Sequence, residues 1–523
     1  MQGCLSIVLH AHLPFVRHPE HEKFLEESWL FEAITETYLP LLQVIEGWRT
    51  AGMDAPITLS LSPTLCTMLA DPLLQQRYER HLNNLIALAE KEIHRTHWDR
   101  AFRELAWMYH HRFTTIRDAW DFYRKDLLGA FRRLQDDGRI EIITTSATHA
   151  LLPMLANHPS SIRAQILTAR DHYKSCFGRE PRGIWLPECA YVEGVETFLQ
   201  EANIRWFILD THGVLHARPR PRYGTFAPIF TPNGIAAFGR DYDSSRQVWS
   251  QREGYPGDPR YRDFYRDIGF DLDFDYVRPF LPAENSRGFT GIKYYRITGT
   301  ANKEIYDRGA ALHAAGEHAQ HFLNERITQI SRLSGLLDRP PLIVAPYDAE
   351  LFGHWWYEGP EFLDYFARKL FYDQKTVALI TLGDYLHRYP TNQMARPGAS
   401  TWGEEGYLRA WLNEKNEWIY PHLQIAQERM NGLAKKYPKA TGLKARALKQ
   451  AARELLLAQS SDWPFILRTG TSPDYARRRF KDHLLRFISL HDQITATGIN
   501  EKWLTEVESR DNIFPYVDWN YWK

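Results

Sequence analysis

The sequence predicts an α/β protein in which a parallel barrel carries a helical insertion and a C-terminal all-α domain. Three observations carry that prediction. Short apolar or β-branched runs recur, each followed by polar residues and then by helical periodicity, the pattern of parallel βα units. The stretch 65–134 is dense in Leu, Ala, Arg and Glu and has no glycine between positions 70 and 128. Beyond the loop Ala395-Arg396-Pro397-Gly398 the pattern turns helical, most clearly over residues 443–459.

The strand runs are residues 6–9, 57–61, 140–145, 183–186, 206–209, 235–238 and 342–345. Strands covered on both faces read as near-continuous apolar runs, and a barrel is their natural closure. A further run, 377–381, leaves the count between seven and eight, because periodicity alone does not say whether a buried run joins the ring. The glycine-poor stretch reads as inserted helices. Between positions 242 and 300 the chain is rich in Tyr, Phe, Asp and Arg around Gly254-Tyr255-Pro256-Gly257-Asp258-Pro259, which predicts long ordered loops over one face. The expected division is a barrel from 1–64 and 135–400, an insertion at 65–134 and a helical domain at 401–523.

At 523 residues the chain is long enough to bury a large core and to carry additions to it. Lys plus Arg equals Asp plus Glu at 64 each, so no long-range field of either sign draws nucleic acid or an acidic membrane. A neutral partner is expected. Aromatic residues make up 14% of the chain, with 17 Trp and 27 Tyr, and flat amphipathic rings suit sugars as well as a core. Cys4, Cys66, Cys176 and Cys189 are widely spaced without a CxxC pair, which argues against a zinc knuckle or a disulfide framework and predicts a cytoplasmic protein. The start, Met1-Gln2-Gly3-Cys4-Leu5, lacks a basic region and reads as an immediate first strand. No apolar run reaches ~18 residues, so no membrane span is expected.

The chemistry-bearing residues follow the strand runs. His10 and His12 end the first run two apart, so their side chains share one side. In a parallel barrel that end carries the active site, where two histidines serve as ligands, substrate hydrogen-bonders or a structural pair. Trp185-Leu186-Pro187-Glu188-Cys189 places Glu188 just past the fourth run, and Ala345-Pro346-Tyr347-Asp348 places Asp348 at the matching point of a distant one. Glycoside cleavage with retention needs such a pair about 5–5.5 Å apart, one carboxylate attacking the anomeric carbon and the other acting as acid, then base. A strand-end carboxylate can instead pin a loop through an ion pair. His149, Asp210, His212, Arg240 and Asp241 fall at equivalent strand ends, and it is the convergence that points to a site. Trp402, Trp411 and Trp418 fit either domain packing or sugar stacking, and Asp462 with Trp463 could reach the same cleft from a helix end.

Together these motifs resemble glycoside hydrolase family 57. The resemblance rests on His10-Ala11-His12-Leu13-Pro14, the segment from Trp185 to Glu188, Ala345-Pro346-Tyr347-Asp348 with Glu350-Leu351-Phe352-Gly353-His354-Trp355-Trp356, and Ser461-Asp462-Trp463-Pro464, in the family's order and across nearly the whole chain. Cys189 and Ala190 after the glutamate, the helical C-terminal domain and the chain length are similar to the branching-enzyme group. The resemblance implies a distorted (β/α)7 barrel, Glu188 as nucleophile, Asp348 as acid/base, and neither metal nor other cofactor. It implies a donor subsite lined by His10, His12 and His149, with Trp402, Trp411 and Asp462 holding an α-1,4-glucan such as amylose, amylopectin or glycogen. Trp185, Asp210, Arg240, His354, Trp355 and Trp463 complete the expected substrate-binding set. Tyr242 is the candidate tip of a mobile loop.

On this expectation the enzyme transfers a cleaved α-1,4-glucan chain to a C6 hydroxyl, making an α-1,6 branch, as a monomer or weak homo-oligomer. Asp348 must begin protonated, and an ionised Glu188 nearby would raise its pKa. A 4-α-glucanotransferase or an α-amylase would use the same acidic pair with another acceptor. Two readings of other classes stay open: a metal-dependent, amidohydrolase-like enzyme built on His10-x-His12, needing further ligands such as His149, His212, Asp348 or His354, and a non-catalytic glucan-binding protein.

Overall fold

A computed structural model describes residues 2–249, 253–283, 285–496 and 498–523. Nine strands are described: β1 (Gly3–Ala11), β2 (Ile57–Leu61), β3 (Ile140–Ile143), β4 (Gly183–Ile184), β5 (Trp206–Leu209), β6 (Ile229–Phe230), β7 (Ala236–Gly239), β8 (Leu342–Asp348) and β9 (Val377–Leu379). They run in two stretches, β3-β2-β1-β8 with β9 on β1, and β4-β5-β7-β6. The stretches join at both ends. A parallel bridge pairs Thr144 with Ile184, and Trp185 N–H donates to Thr144 O at 2.8 Å. Just past β7, Asp241 N–H donates to Val344 O of β8 at 2.8 Å.

The ring so closed has seven parallel members: β1, β2, β3, β4, β5, β7 and β8. β8 takes one whole edge of β1, from Cys4 to His10. β9 and β2 must share the other, β9 against Gly3 to Leu5 and β2 against Val8 to Ala11. The 377–381 run therefore wedges in at the foot of β1 and does not reach the mouth, which answers the question between seven and eight. The short antiparallel β6, beside β7, carries no pattern the sequence reading detected. β1 and β2 are buried at every position, which is why they read as unbroken apolar runs.

Between β2 and β3 two long helices pack on each other, Pro72–Arg95 and Arg100–Phe122, started by Asp71 and Asp99, whose side chains accept from first-turn N–H groups. Glu92 ties them to the loop segment that follows β7, accepting from Tyr276 and Tyr294 hydroxyls at 2.7 and 2.8 Å. The C-terminal helices Gly442–Ala458 and Pro473–Thr495 pack on each other, and the short helix Asp462–Thr469 packs on the second of them. This layer meets the barrel at its mouth: Ser461 N–H donates to His149 O at 3.1 Å, and Ala150 bridges to Ser460. Among the described residues no helix is long and apolar enough to cross a membrane.

Candidate active site

The ends of β1, β3, β4, β7 and β8 face the C-terminal helices across a cleft of about 550 Å³, whose walls include Glu188, Arg240, Trp249, Asp348, Trp402, Trp411, Phe465 and Arg468. Glu188 reaches it through a sharp turn. β4 stops at Ile184, and after Pro187 the backbone takes φ 61° at Glu188 and 49° at Cys189, with His149 across the mouth at 55°. Non-glycine residues at positive φ cost energy and persist where their surroundings hold them. Here Trp402 does the holding: its N–H donates to Glu188 O at 3.0 Å and its indole Nε1–H to Glu188 Oε2 at 2.7 Å. Asp348 ends β8, in register with His10 of β1.

Three histidines pave the wall beside Glu188. The rings of His12 and His149 stack with centroids 3.9 Å apart, and His10 stacks on Trp185 at 4.7 Å. His10 Nε2 and His149 Nε2 share a hydrogen bond of 3.0 Å, one donating and the other accepting. Their outer nitrogens pair with Ser60 Oγ at 3.0 Å and Ser461 Oγ at 2.9 Å. Burial pushes both histidines well below their ordinary pKa, and neighbouring histidines add to this, so both are neutral. His12 Nε2 hydrogen-bonds Asp462 at 3.0 Å. The ring nitrogens that the amidohydrolase-like reading needs for a metal are thus engaged by one another, by serines and by Asp462. Among the described residues, the group with metal-ligand spacing lies elsewhere, at Glu454, His483 and Asp511.

Burial raises Glu188 to about 8, with the charges of Asp348 and Asp462 pushing the same way and the Trp402 hydrogen bond acting against them. Asp348 also rises to about 8, by burial first and then by the charge of Glu350, while Arg240 opposes. Glu350 is thus a charge the sequence reading did not consider, and the mutual repulsion of Glu188 and Asp348 appears in the rise of Glu188. Glu350 Oε1 is fixed by Tyr38 OH and by His12 N–H at 3.2 Å. Two carboxyls in one low-dielectric cleft favour a single negative charge over two. When the pair loses its first proton, the Trp402 donor favours Glu188 as the member that carries the charge. Among the described residues none hydrogen-bonds the Asp348 carboxyl, so its proton is available to a bound oxygen.

The other expected residues divide. Arg240 lines the cleft, with Nη1–H donating to Asp210 Oδ2 at 3.0 Å and Nε–H to Ser245 Oγ at 2.9 Å, so Asp210 acts through Arg240. Asp462 binds His12; burial would raise it, but His12 holds it below its ordinary value. Trp185 is fully buried as a floor under His10, its ring edge-on to Trp402 at 4.9 Å. Trp463 is also fully buried, and its indole donates to Leu457 O at 2.8 Å, so it anchors the helix carrying Asp462 and offers no face to a ligand. Tyr242, 59% exposed, begins the helix Tyr242–Trp249 and is not in the cleft wall. His354 and Trp355 also lie outside that wall, His354 paired with Glu36 Oε2 at 2.5 Å and Trp355 stacked on Phe264 at 4.5 Å.

The sequence reading missed Trp249, whose ring lies 6.2 Å from that of Trp402 at 19°, and Phe465 with Arg468. Phe465 follows Asp462 by one helical turn, a spacing that puts both on one face and could have revealed it. Nothing local marks Trp249.

Comparison with known proteins agrees along the whole chain. The family model described as Glycosyl hydrolase family 57 matches residues 6–397, and one described as 1,4-alpha-glucan branching enzyme, C-terminal, matches residues 422–522. A 1,4-alpha-glucan branching enzyme of Thermococcus kodakarensis is 34% identical over 99% of this chain and 79% of that protein. The crystal structure of an alpha-amylase from Thermotoga maritima aligns with TM-score 0.93 and 42% identity, covering 100% of this chain and 99% of that one. That of a branching enzyme from Pyrococcus horikoshii aligns with TM-score 0.90 and 33% identity, covering 100% and 97%.

Proposed function

The chain belongs to glycosyl hydrolase family 57 and ends in the C-terminal domain of branching enzymes, and from that membership we propose that it is a retaining 1,4-α-glucan branching enzyme. Its substrate is an α-1,4-glucan such as amylose, amylopectin or glycogen. The observation that carries this reading is the source of the cleft's far wall. Phe465 and Arg468 come from the segment that matches the branching-enzyme domain and line the cleft together with the acidic pair, while Asp462 of the same segment holds His12.

In the proposed reaction, ionised Glu188 attacks C1 of an α-1,4-linked glucose. The C1–O4 bond breaks as Asp348 gives its proton to O4, leaving a glucosyl ester on Glu188. An acceptor C6 hydroxyl then loses its proton to Asp348, O6 bonds to C1, and the ester carboxylate departs. The two inversions retain the α configuration. His10 and His149, both neutral, give the wall beside Glu188 its shape without placing a positive charge there. Trp402, Trp249, Trp411 and Phe465 supply aromatic surface for the chain.

On this reading residues 1–64 and 135–400 are the catalytic barrel, 65–134 its insertion and 401–523 the cleft-lining domain. The enzyme works in the cytoplasm as a monomer or weak homo-oligomer.

A second reading, α-amylase, is favoured by the 42% identity to the Thermotoga maritima alpha-amylase. It uses the same two carboxyls, with water replacing the C6 hydroxyl. Incubation with amylose, following new reducing ends and new α-1,6 linkages together, separates the two. Many α-1,6 linkages with few reducing ends are expected; reducing ends alone would make the enzyme an amylase.

A further inference from the structure

His212 stands on the short helix Thr211–Leu215 that follows β5, and no step of the proposed reaction uses it. Its ring touches two groups that only accept. Nδ1 lies 3.0 Å from Asp210 Oδ1 and Nε2 lies 2.9 Å from Gly406 O, so each contact requires its proton to sit on the ring. The other Asp210 oxygen takes Arg240 Nη1–H at 3.0 Å, and the Arg240 guanidinium lies 5.6 Å from the Trp402 ring.

Gly406 closes the loop that carries Trp402. Its carbonyl also accepts from Thr401 N–H at 2.9 Å, its N–H donates to Gly403 O at 2.9 Å, and the Thr401 hydroxyl donates to Tyr407 O at 2.8 Å. The turn inside this loop is costly: Glu405, a residue with a side chain, sits at φ 62° and Gly406 at 80°. Such a turn persists where its surroundings hold it. The His212 ring seats so closely against it that a Cβ on Gly406 would come within 2.8 Å of His212 Cε1, and the Tyr407 ring meets it edge-on at 5.5 Å. From the loop so held, Trp402 reaches Glu188 with both of its N–H groups.

We propose, resting on the assignment of Glu188 as nucleophile, that His212 is a positioning residue: anchored by Asp210, it holds the 401–407 loop and so sets where Trp402 grips Glu188. Asp210 is the common anchor, one oxygen orienting Arg240 in the cleft wall and the other orienting His212 beneath the loop. His212 itself is not in the cleft wall, so it acts through Trp402. A loop released from His212 carries the indole N–H away from the carboxylate, and with it the donor that favours the charged form of Glu188.

Two substitutions separate the two bonds. His212→Asn keeps a donor near the Nδ1 position and drops the contact with Gly406, whereas His212→Gln keeps a donor near the Nε2 position. By amide hydrogen exchange and mass spectrometry, the 401–407 segment should exchange at least about tenfold faster in His212→Asn than in the wild type, and within about threefold of wild type in His212→Gln. Equal protection in the wild type and His212→Asn would overturn the clamp. This measurement needs no turnover, so it stands or falls apart from the branching assignment. Total cleavage of α-1,4 linkages in amylose counts branching and hydrolysis alike. Its kcat should fall about 10- to 100-fold in His212→Asn with KM within about threefold, and His212→Gln should recover to within about threefold of wild type. Equal rates in the two variants would overturn the part played by the Gly406 bond. On a Trp402→Phe background, His212→Asn should cost at least about threefold less than in the wild type, because the two residues act through one contact. An equal cost on both backgrounds would make His212 a merely structural residue and overturn its action through Trp402.

Discussion

Trp402 grips Glu188 twice, by its backbone N–H on the glutamate carbonyl at 3.0 Å and by its indole N–H on the carboxylate at 2.7 Å. The first contact holds a left-handed turn in place and the second favours the charged carboxylate. A tryptophan that looks like a sugar platform in the sequence is thus also a positioning residue for the proposed nucleophile.

Replacing Trp402 with Phe keeps an aromatic face and removes the indole donor. A hydrogen bond to a charged group is worth about 1.5–3 kcal/mol, so kcat should fall about 10- to 100-fold. Losing a donor to the ionised form raises the Glu188 pKa, so the acid limb of the pH–rate profile should move to higher pH. A change in KM alone would reduce Trp402 to a stacking surface.

The two carboxyls should separate on an activated substrate. Both Glu188→Gln and Asp348→Asn should lower turnover of amylose by more than about a thousandfold with circular dichroism unchanged. With α-glucosyl fluoride, whose leaving group needs no proton, Asp348→Asn should still form the glucosyl ester and Glu188→Gln should not. Mass spectrometry of the trapped ester reads this directly. An ester on Glu188→Gln would refute the assignment.

The raised carboxyls also predict a pH-dependent stability difference. Between the ordinary carboxylate range and about 8, native Glu188 and Asp348 hold protons that the unfolded chain has released. Stability from the protonated forms is present at low pH and is lost as pH rises through that window. Glu188→Gln cannot ionise, so its stability relative to wild type should grow from about pH 5 to about pH 9. The growth should exceed about 1.4 kcal/mol, the worth of one pKa unit. Denaturant titrations at both pH values measure it, and a flat difference would mean that burial does not lift Glu188.

Trp249 and Trp402 lie nearly parallel across the cleft entrance at 6.2 Å. If Trp249 stacks on the acceptor chain, Trp249→Ala should lose about 0.5–1.5 kcal/mol of that contact. The ratio of α-1,6 linkages to new reducing ends should drop about 2- to 10-fold while total cleavage holds. An unchanged ratio would remove Trp249 from the acceptor path.

Trp463 tests the opposite assignment. Its buried indole bonds Leu457 O, so Trp463→Phe should destabilise the protein by about 1–3 kcal/mol. The glucan KM should stay within about twofold wherever the protein remains folded. Denaturation midpoints and kinetics on the same preparation check both halves.

What could be read locally was the barrel and its chemistry. Strands buried on both faces announce themselves as apolar runs, and β1, β2, β5 and β8 were legible for that reason. Glu188 and Asp348 were legible because each follows such a run directly. β6 was not, since two residues have no period. Nor was the place of β9, which depends on how β8 and β2 divide the edges of β1.

By itself, then, the sequence determined the parallel α/β architecture, the inserted and C-terminal helices, and which acidic, histidine and tryptophan side chains stand at strand ends. Side-chain identity and spacing along one segment suffice for those. Only the tertiary structure decided that the ring has seven members, that Trp463 anchors its helix while Trp402 grips the proposed nucleophile, and that Glu350 adds its charge to the surroundings of Asp348. Each of these depends on groups far apart in the chain, and burial, hydrogen bonding and charge act through distances in space that spacing in sequence does not encode.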